Sequence, residues 1–454
     1  EAPAAESAAP AATAPAAGAA SRWWLHHSLK ALSDDLAKLG APLILRQGSA
    51  AEIIPLLAQE ANASHVFWNR RYFPDHVEAD KKLKADLTAA GVEVHTFNGA
   101  LLCEPWEIKT NAGGPFRVFT PFWRKLRAAN PARVGLAPRP RSLVAATHDA
   151  LRSDRLKDWV LVPHAPDWAG EFTNVWTPGE AGARRRIGEF LDHAIGAYKD
   201  GRDRPDKEHT SRLSPPLAFG EISPRQVWRA IETETDKGAV NDSDGEKFFS
   251  ELAWREFSYS LLYHNPSLPE APLRKEFAHF PWRDDADGFA AWKTGRTGYP
   301  IVDAGMRQLW RTGWMHNRVR MIAASFLIKD LLIPWRDGAA WFWDTLVDAD
   351  LANNSASWQW VAGCGADASP YFRIFNPVTQ GEKFDPDGNY VRKYVPELKN
   401  MPAKHIHAPW RAPAAILDKA GVKLGQSYPY PVVDHATARK RALEEYDRMK
   451  RVKQ

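Results

Sequence analysis

The chain is poor in cysteine: 454 residues contain two, Cys103 and Cys364. Two thiols cannot build a disulfide framework, so a reducing, cytoplasmic compartment is the expected setting. The same scarcity leaves no Cys/His cluster with zinc spacing, and no metal is expected. Long apolar runs are also missing, which excludes a membrane-spanning helix. Charge of one sign is only slightly in excess, at a formal +5. That permits a polyanionic partner without requiring one.

Tryptophan is present in unusual number. There are 20, against 11 tyrosines. Indoles fill cores, but they also stack on flavins and bases and relay electrons. The length fits two or three domains, and 44% hydrophobic with 25% charged residues is ordinary globular composition.

Residues 1–20 are Ala/Pro-rich and lack the basic start and apolar middle of a signal peptide. They read as a disordered segment. Residues 21–105 alternate helical and strand patterns. "SRWWLHHSLKALSDDLAKLG", "SAAEIIPLLAQEA" and "DHVEADKKLKADLTAAG" have helical periodicity, while "APLILRQG", "SHVFWNR" and "VEVHTFNG" read as strands. This is an α/β domain with a doubly wound parallel sheet. Residues 106–190, broken by Pro and Gly, read as an inter-domain connection. Residues 191–454 carry dense helical periods and predict an all-α domain closed by the charged amphipathic helix "ATARKRALEEYDRMKRVKQ".

Four stretches could carry chemistry. "HTSRLSP" (His209–Pro215) offers hydroxyls, a cation and backbone N–H groups that suit a phosphate, and equally suits a capped turn before Pro-Pro. "ELAWREF" sets Glu251, Trp254 and Arg255 on one helix face. Such a face serves an ordinary salt-bridged helix, or receives a base between indole, carboxylate and guanidinium. "GWMHNRVRM" and "DADLANN" supply Arg320, Asp348 and Asp350. The two Asp residues could hold a metal, but a charge-assisted Arg–Asp pair in a cofactor pocket accounts for them as well. Trp358 and Trp360 stand two apart and must point in different directions if helical.

Taken in order, these segments resemble the DNA photolyase/cryptochrome flavoproteins. The likeness runs from Ser21 to the C-terminus, through "HTSRLSP", "ELAWREF", "TGYPIVDAGMRQL", "GWMHNRVRMIAASFLIKDLL", "DADLANNSASWQW", "RIFNP" and "QGEKFDPDGNYVRKYVPEL". The details are similar to cyclobutane pyrimidine dimer photolyases of class I or class III type. Met321 stands where (6-4) enzymes carry histidine, and Asn354 where plant cryptochromes carry Asp and insect ones Cys. The resemblance implies light-driven repair of dimers in DNA by electron transfer from reduced FAD. The alternative it leaves open is a cryptochrome-like blue-light photoreceptor. A (6-4) enzyme of the iron–sulfur type is disfavoured, because this chain has too few cysteines to hold the cluster.

By the same resemblance, Tyr198, Thr210, Ser211, Arg212, Leu213 and Ser214 hold FAD, and Arg320, Asp348, Asp350 and Asn354 surround its ring. Glu251, Trp254, Asn317, Met321 and Trp360 receive the flipped dimer. Arg202, Arg255, Arg318, Arg373 and Gln380 contact DNA. Trp282, Trp335 and Trp358 pass electrons to the flavin. Implied partners are damaged DNA alone, with no membrane and no obligate protein, for a monomer. A methenyltetrahydrofolate antenna is the first expectation, touching Glu104, with a deazaflavin or no antenna as alternatives. The family usually opens with a strand like "VWFRxDLR", a helix and a second strand. None of these is present here, so a truncated or altered start is expected, with "APLILRQG" short of strand neighbours.

Overall fold

The computed structural model describes residues 15–131, 135–145, 151–368 and 372–451. The first helix, Ala19–Leu39, ends at Gly40, whose φ of 94° suits glycine. Ala41 N–H returns to Leu36 O at 3.1 Å to close the helix end. Two further helices, Ala50–Glu60 and Pro74–Ala89, alternate with strands β1 (His65–Asn69) and β2 (Glu93–Phe97). The strands pair in parallel, with His65 opposite Glu93. Val66, Trp68 and Val94 face the two helices, packing against Ala58, Leu83 and Leu87. The opposite face of the pair is open, with Phe67 and Phe97 exposed.

The α/β reading holds, but the sheet is smaller than expected. "APLILRQG" is not a strand: residues 41–47 have no regular structure. Its backbone groups find loop partners instead. Leu45 N–H donates to Ser153 Oγ (2.9 Å), Asp154 N–H to Leu45 O (2.8 Å), and Gln47 N–H to Asp154 Oδ2 (3.0 Å). No strand among the described residues lies beside it, so its polar groups are satisfied without a ladder. The helices Ala50–Glu60 and Pro74–Ala89 pack together on one face of the strand pair, so a doubly wound arrangement is not seen among the described residues. Of the segment expected to be disordered, residues 1–14 lie outside the described residues. Gly18 packs on the backbone of Trp343 and Asp344, and Trp343 Nε1 donates to Ala16 O (2.8 Å).

The stretch between the two domains carries structure of its own. Helix Phe119–Ala128 buries Phe119, Phe122 and Leu126 against the long helix Asp242–His264. The helix Glu180–His193 also begins inside it. Beyond lie the helices of the second domain. Pro224–Asp236 opens with a capping box of Ser223 and Gln226. Pro300–Thr312, Asn317–Ser325, Trp335–Thr345 and Leu351–Ala362 surround an apolar core. The terminal helix His435–Arg451 is amphipathic as expected, burying Ala438, Ala442, Tyr446 and Met449 on one side. No described helix is long and apolar enough to cross a membrane.

A buried carboxylate ties the two domains together. Glu256 Oε2 accepts from the backbone N–H groups of Leu102 (2.8 Å) and Cys103 (3.3 Å), and Oε1 from Arg255 Nη1 (3.3 Å). Glu256→Ala strands two backbone donors and takes from Arg255 its carboxylate partner, and is expected to cost about 3–5 kcal/mol. Chemical denaturation of the purified chain checks this; a loss under about 1 kcal/mol would contradict the role of Glu256 as the inter-domain anchor.

Candidate FAD and DNA site

Two helix starts build the centre of the site. His316 caps Asn317–Ser325, its Nδ1 accepting from Arg318 N–H at 3.2 Å. Asp350 caps Leu351–Ala362, accepting from Asn353 N–H at 2.8 Å and also bonding the Tyr259 hydroxyl. Between these caps Arg320 Nη2 donates to Asp348 Oδ2 (2.8 Å), while its Nε donates to Met315 O (2.7 Å). The pair is the one expected from the sequence. The Asp348 side chain is 2% exposed, and its other oxygen, Oδ1, is buried with no hydrogen-bond donor. Asn354 is half-buried nearby on the chain and donates to Ala339 O at 3.0 Å.

A group of cations with unused donors accompanies the pair. Arg212 has a φ of 51° and lies over the Trp314 ring at 5.2 Å, with a salt bridge to Glu208 at 2.5 Å. Arg318 Nη2 pairs with Asp203 Oδ2 (2.7 Å). Arg202 Nη2 pairs with Glu251 Oε2 (2.9 Å). The Nε atoms of all three guanidinia are buried without a partner, as is His316 Nε2. Ser214 starts the short helix Ser214–Ala218 and accepts from Trp314 Nε1 at 3.4 Å. Ser211 and Thr210 are half-buried, Leu213 is core, and Tyr198 packs between Phe190 and Phe248.

Buried polar groups are almost always paired, so such a collection of orphans marks a place built for something else. An unpaired carboxylate oxygen calls for an N–H donor. Unpaired guanidinium donors call for an anion. FAD has both a ring N–H and a diphosphate, and the residues present fit it.

Electrostatics separates the charged groups. Burial pushes the His316 imidazole down to about 3, helped by Arg202, Arg212 and Arg318 and opposed by Asp203. Burial works to raise the Asp203 carboxyl, but the hydrogen bond and charge of Arg318 outweigh it and hold it low. Burial raises the Tyr198 hydroxyl.

Helix Asp242–His264 does not keep its three expected residues together. Glu251 sits between Arg202 and Lys247, 2.9 Å from each. Trp254 stacks on Phe119 at 3.7 Å and 7°. Arg255 turns inward: its Nη1 donates to Ala100 O (2.8 Å) and its guanidinium covers Tyr259 at 4.8 Å. It serves the domain contact and leaves only 12% of its side chain exposed. Asn317 is exposed and Met321 half-buried.

Trp358 and Trp360 do point apart, as about 200° of helix rotation demands. Trp358 is buried against Phe342 (5.0 Å) and Trp292 (6.3 Å), and a Cβ on Gly338 would strike its ring. Trp360 is half-buried. Trp335 shares the core of Trp358, and Trp282 packs on its edge, 4.5 Å from Phe280.

Arg318, Arg373 and Gln380 line one cleft of about 620 Å³ with Lys199, Arg204 and Lys383. The last three were not foreseen, because isolated cations in sequence carry no signal until the fold gathers them. His316 and Trp314 were also missed, although both lie inside the quoted "GWMHNRVRM". Glu104 was expected at an antenna, but its carboxylate is spent within the α/β domain, on Arg70 (2.9 and 2.6 Å) and the Tyr72 hydroxyl (2.9 Å).

The fold and the site together define a helical FAD-binding domain coupled to an α/β domain. Residues 248–448 match the family model described as the FAD binding domain of DNA photolyase, and residues 5–141 match that of DNA photolyase. The chain is 54% identical over 434 residues to a deoxyribodipyrimidine photo-lyase of Agrobacterium fabrum, covering 96% of this chain and 90% of that one. It is 38% identical to cryptochrome-2 of Arabidopsis thaliana, covering 93% and 70%. The crystal structure of a bacterial class III photolyase from Agrobacterium tumefaciens superposes with a TM-score of 0.94 at 53% identity, covering 97% and 90%. This chain belongs to the DNA photolyase family.

The buried neutral His316 gives a pH dependence with a definite sign. Its folded pKa lies below the ordinary value of about 6.5, so its contribution to stability is complete above that value. It is lost as pH falls toward about 3. His316→Gln is therefore expected to flatten the fall in unfolding midpoint between those limits. Parallel acid-side slopes for the two proteins would contradict this.

Proposed function

We propose that the chain is a light-driven repair enzyme that splits cyclobutane pyrimidine dimers in DNA. The observation that carries this reading is the identity with a deoxyribodipyrimidine photo-lyase over nearly the whole chain, together with a pocket whose unpaired polar atoms match FAD. A dimer stacks and pairs poorly, so extruding it costs less than extruding a normal pair. In this reading Arg318, Arg373 and Gln380, with Lys199 and Lys383, hold the DNA backbone along their cleft. Arg202 acts on DNA through Glu251, which it holds in place.

Phe119 backs one face of the Trp254 indole and fixes its plane. The lesion stacks against Trp254 and Trp360, with Asn317 and Met321 at its edges. Glu251 is oriented by Arg202 and Lys247, and accepts from the N–H groups of the flipped bases. Reduced FAD held there would supply the light-driven one-electron chemistry that opens the dimer ring, with no net redox change. Asp348, Asp350, Asn354 and Arg320 hold its ring, and Tyr198 with residues 210–214 hold its remainder. Trp358, Trp335 and Trp282 conduct electrons from the surface. A methenyltetrahydrofolate antenna completes the assignment, without Glu104 as its contact. The enzyme acts as a monomer.

The test is to incubate the purified protein, with its flavin reduced, on dimer-containing DNA in blue light and in darkness, and to count surviving dimers. Loss in light alone supports repair. Survival of dimers under light, with the flavin bound and reduced, supports a photoreceptor instead. Trp254→Ala is expected to weaken lesion binding by about 1–3 kcal/mol in a dark binding assay; unchanged affinity would refute stacking.

A further inference from the structure

Outside this site, the open face of the strand pair carries a second cluster. His65 and Glu93 are direct partners in the parallel register, and His95 follows Glu93 by two on the same face. His65 Nε2 lies 3.1 Å from Glu93 Oε2, and His95 Nε2 lies 2.9 Å from Glu93 Oε1. One nitrogen from each ring and one carboxylate oxygen all lie within 4.8 Å of one another. Among the described residues this is the one such trio.

We propose that His65, Glu93 and His95 form a surface site for a divalent transition-metal ion of the zinc class. Bonds of about 2.0 Å in tetrahedral geometry set neighbouring ligand atoms about 3.3 Å apart. The two short contacts are close to that spacing, so an ion enters with small side-chain movements. Ser64 Oγ lies 2.8 Å from His65 Nδ1 and occupies that nitrogen, leaving Nε2 for the ion. This is the outer-shell arrangement that orients metal-binding imidazoles. The two imidazoles are nearly parallel (12°, centroids 5.9 Å), and Phe67 stacks on His95 at 4.9 Å, restricting its ring.

The ligand set is two nitrogens and one oxygen. It suits zinc, nickel or copper(II), and is wrong for calcium or magnesium, which take oxygen. The three side chains are part-exposed, so an ion reaches them from solvent and a water completes its coordination. Bound there, the ion clasps β1 to β2 on the face that no described helix covers.

The experiment uses the full chain, stripped of metal with a chelator and titrated with zinc against a chromogenic competitor. One zinc per chain is expected, with binding weakened more than about tenfold by His65→Ala and by His95→Ala. Cobalt(II) should give the visible absorption of a four-coordinate site, and calcium should not compete. Circular dichroism verifies that both variants fold, and His95→Gln gives a second, closer replacement. Absence of a stoichiometric site overturns the proposal. So does zinc binding that survives both histidine substitutions, or equal competition by calcium.

Discussion

The ion pair between Arg320 and Asp348 is the contact around which the helical domain is arranged. Asp348 is drawn out of water and Arg320 partly so, and such burial is costly unless every buried polar atom finds a partner. Arg320 meets that demand through Asp348 and the Met315 carbonyl. Asp348 does not, because its Oδ1 is left without a donor. The helical domain therefore carries an unfinished set of hydrogen bonds, since the Nε atoms of Arg202, Arg212 and Arg318 are likewise buried without a partner. A ligand that completes the network contributes to folding as well as to function, since binding to the native state alone shifts the equilibrium toward it.

The geometry around that centre follows from helix starts and helix period. His316 and Asp350 each cap a helix, and so fix the loops that carry Met315 and Asp348. Helix rotation then sends Trp358 into the core and Trp360 out of it. The α/β domain is held against this framework by Glu256 and Arg255, whose charges are spent on Leu102, Cys103 and Ala100. One helix, Asp242–His264, thus contributes Glu251 and Trp254 on one side and the inter-domain anchor on the other.

Much of this was legible in the sequence. The helix that stops at Gly40 was readable because its period and its stop signal are local, whereas the caps Ser223 and Asp350 emerged only with the structure. Strands β1 and β2 were readable too, as short runs between helical periods; β1 buries alternate residues, while β2 half-buries three in a row. The segment "APLILRQG" misled because an apolar run says nothing about whether a neighbouring strand exists. Arg255 misled in a similar way. Spacing along a helix gives the face, but the Ala100 carbonyl that draws it inward comes from 155 residues away in the chain. Glu104 was spent on Arg70 and Tyr72 for the same reason. The residues alone left a metal or an Arg–Asp pair open and did not choose between Asp348 and Asp350; only the resemblance favoured Asp348 as the partner of Arg320.

The claim that this pair and its unpaired oxygen exist to hold FAD is tested most directly by FAD affinity. Asp348→Asn keeps the shape of the side chain and removes its charge, weakening both the contact to Arg320 and the acceptor strength of Oδ1. Titration of flavin-free protein should give at least about a tenfold weaker dissociation constant for this variant, the size expected from losing a hydrogen bond to a charged group. An unchanged constant would contradict the account.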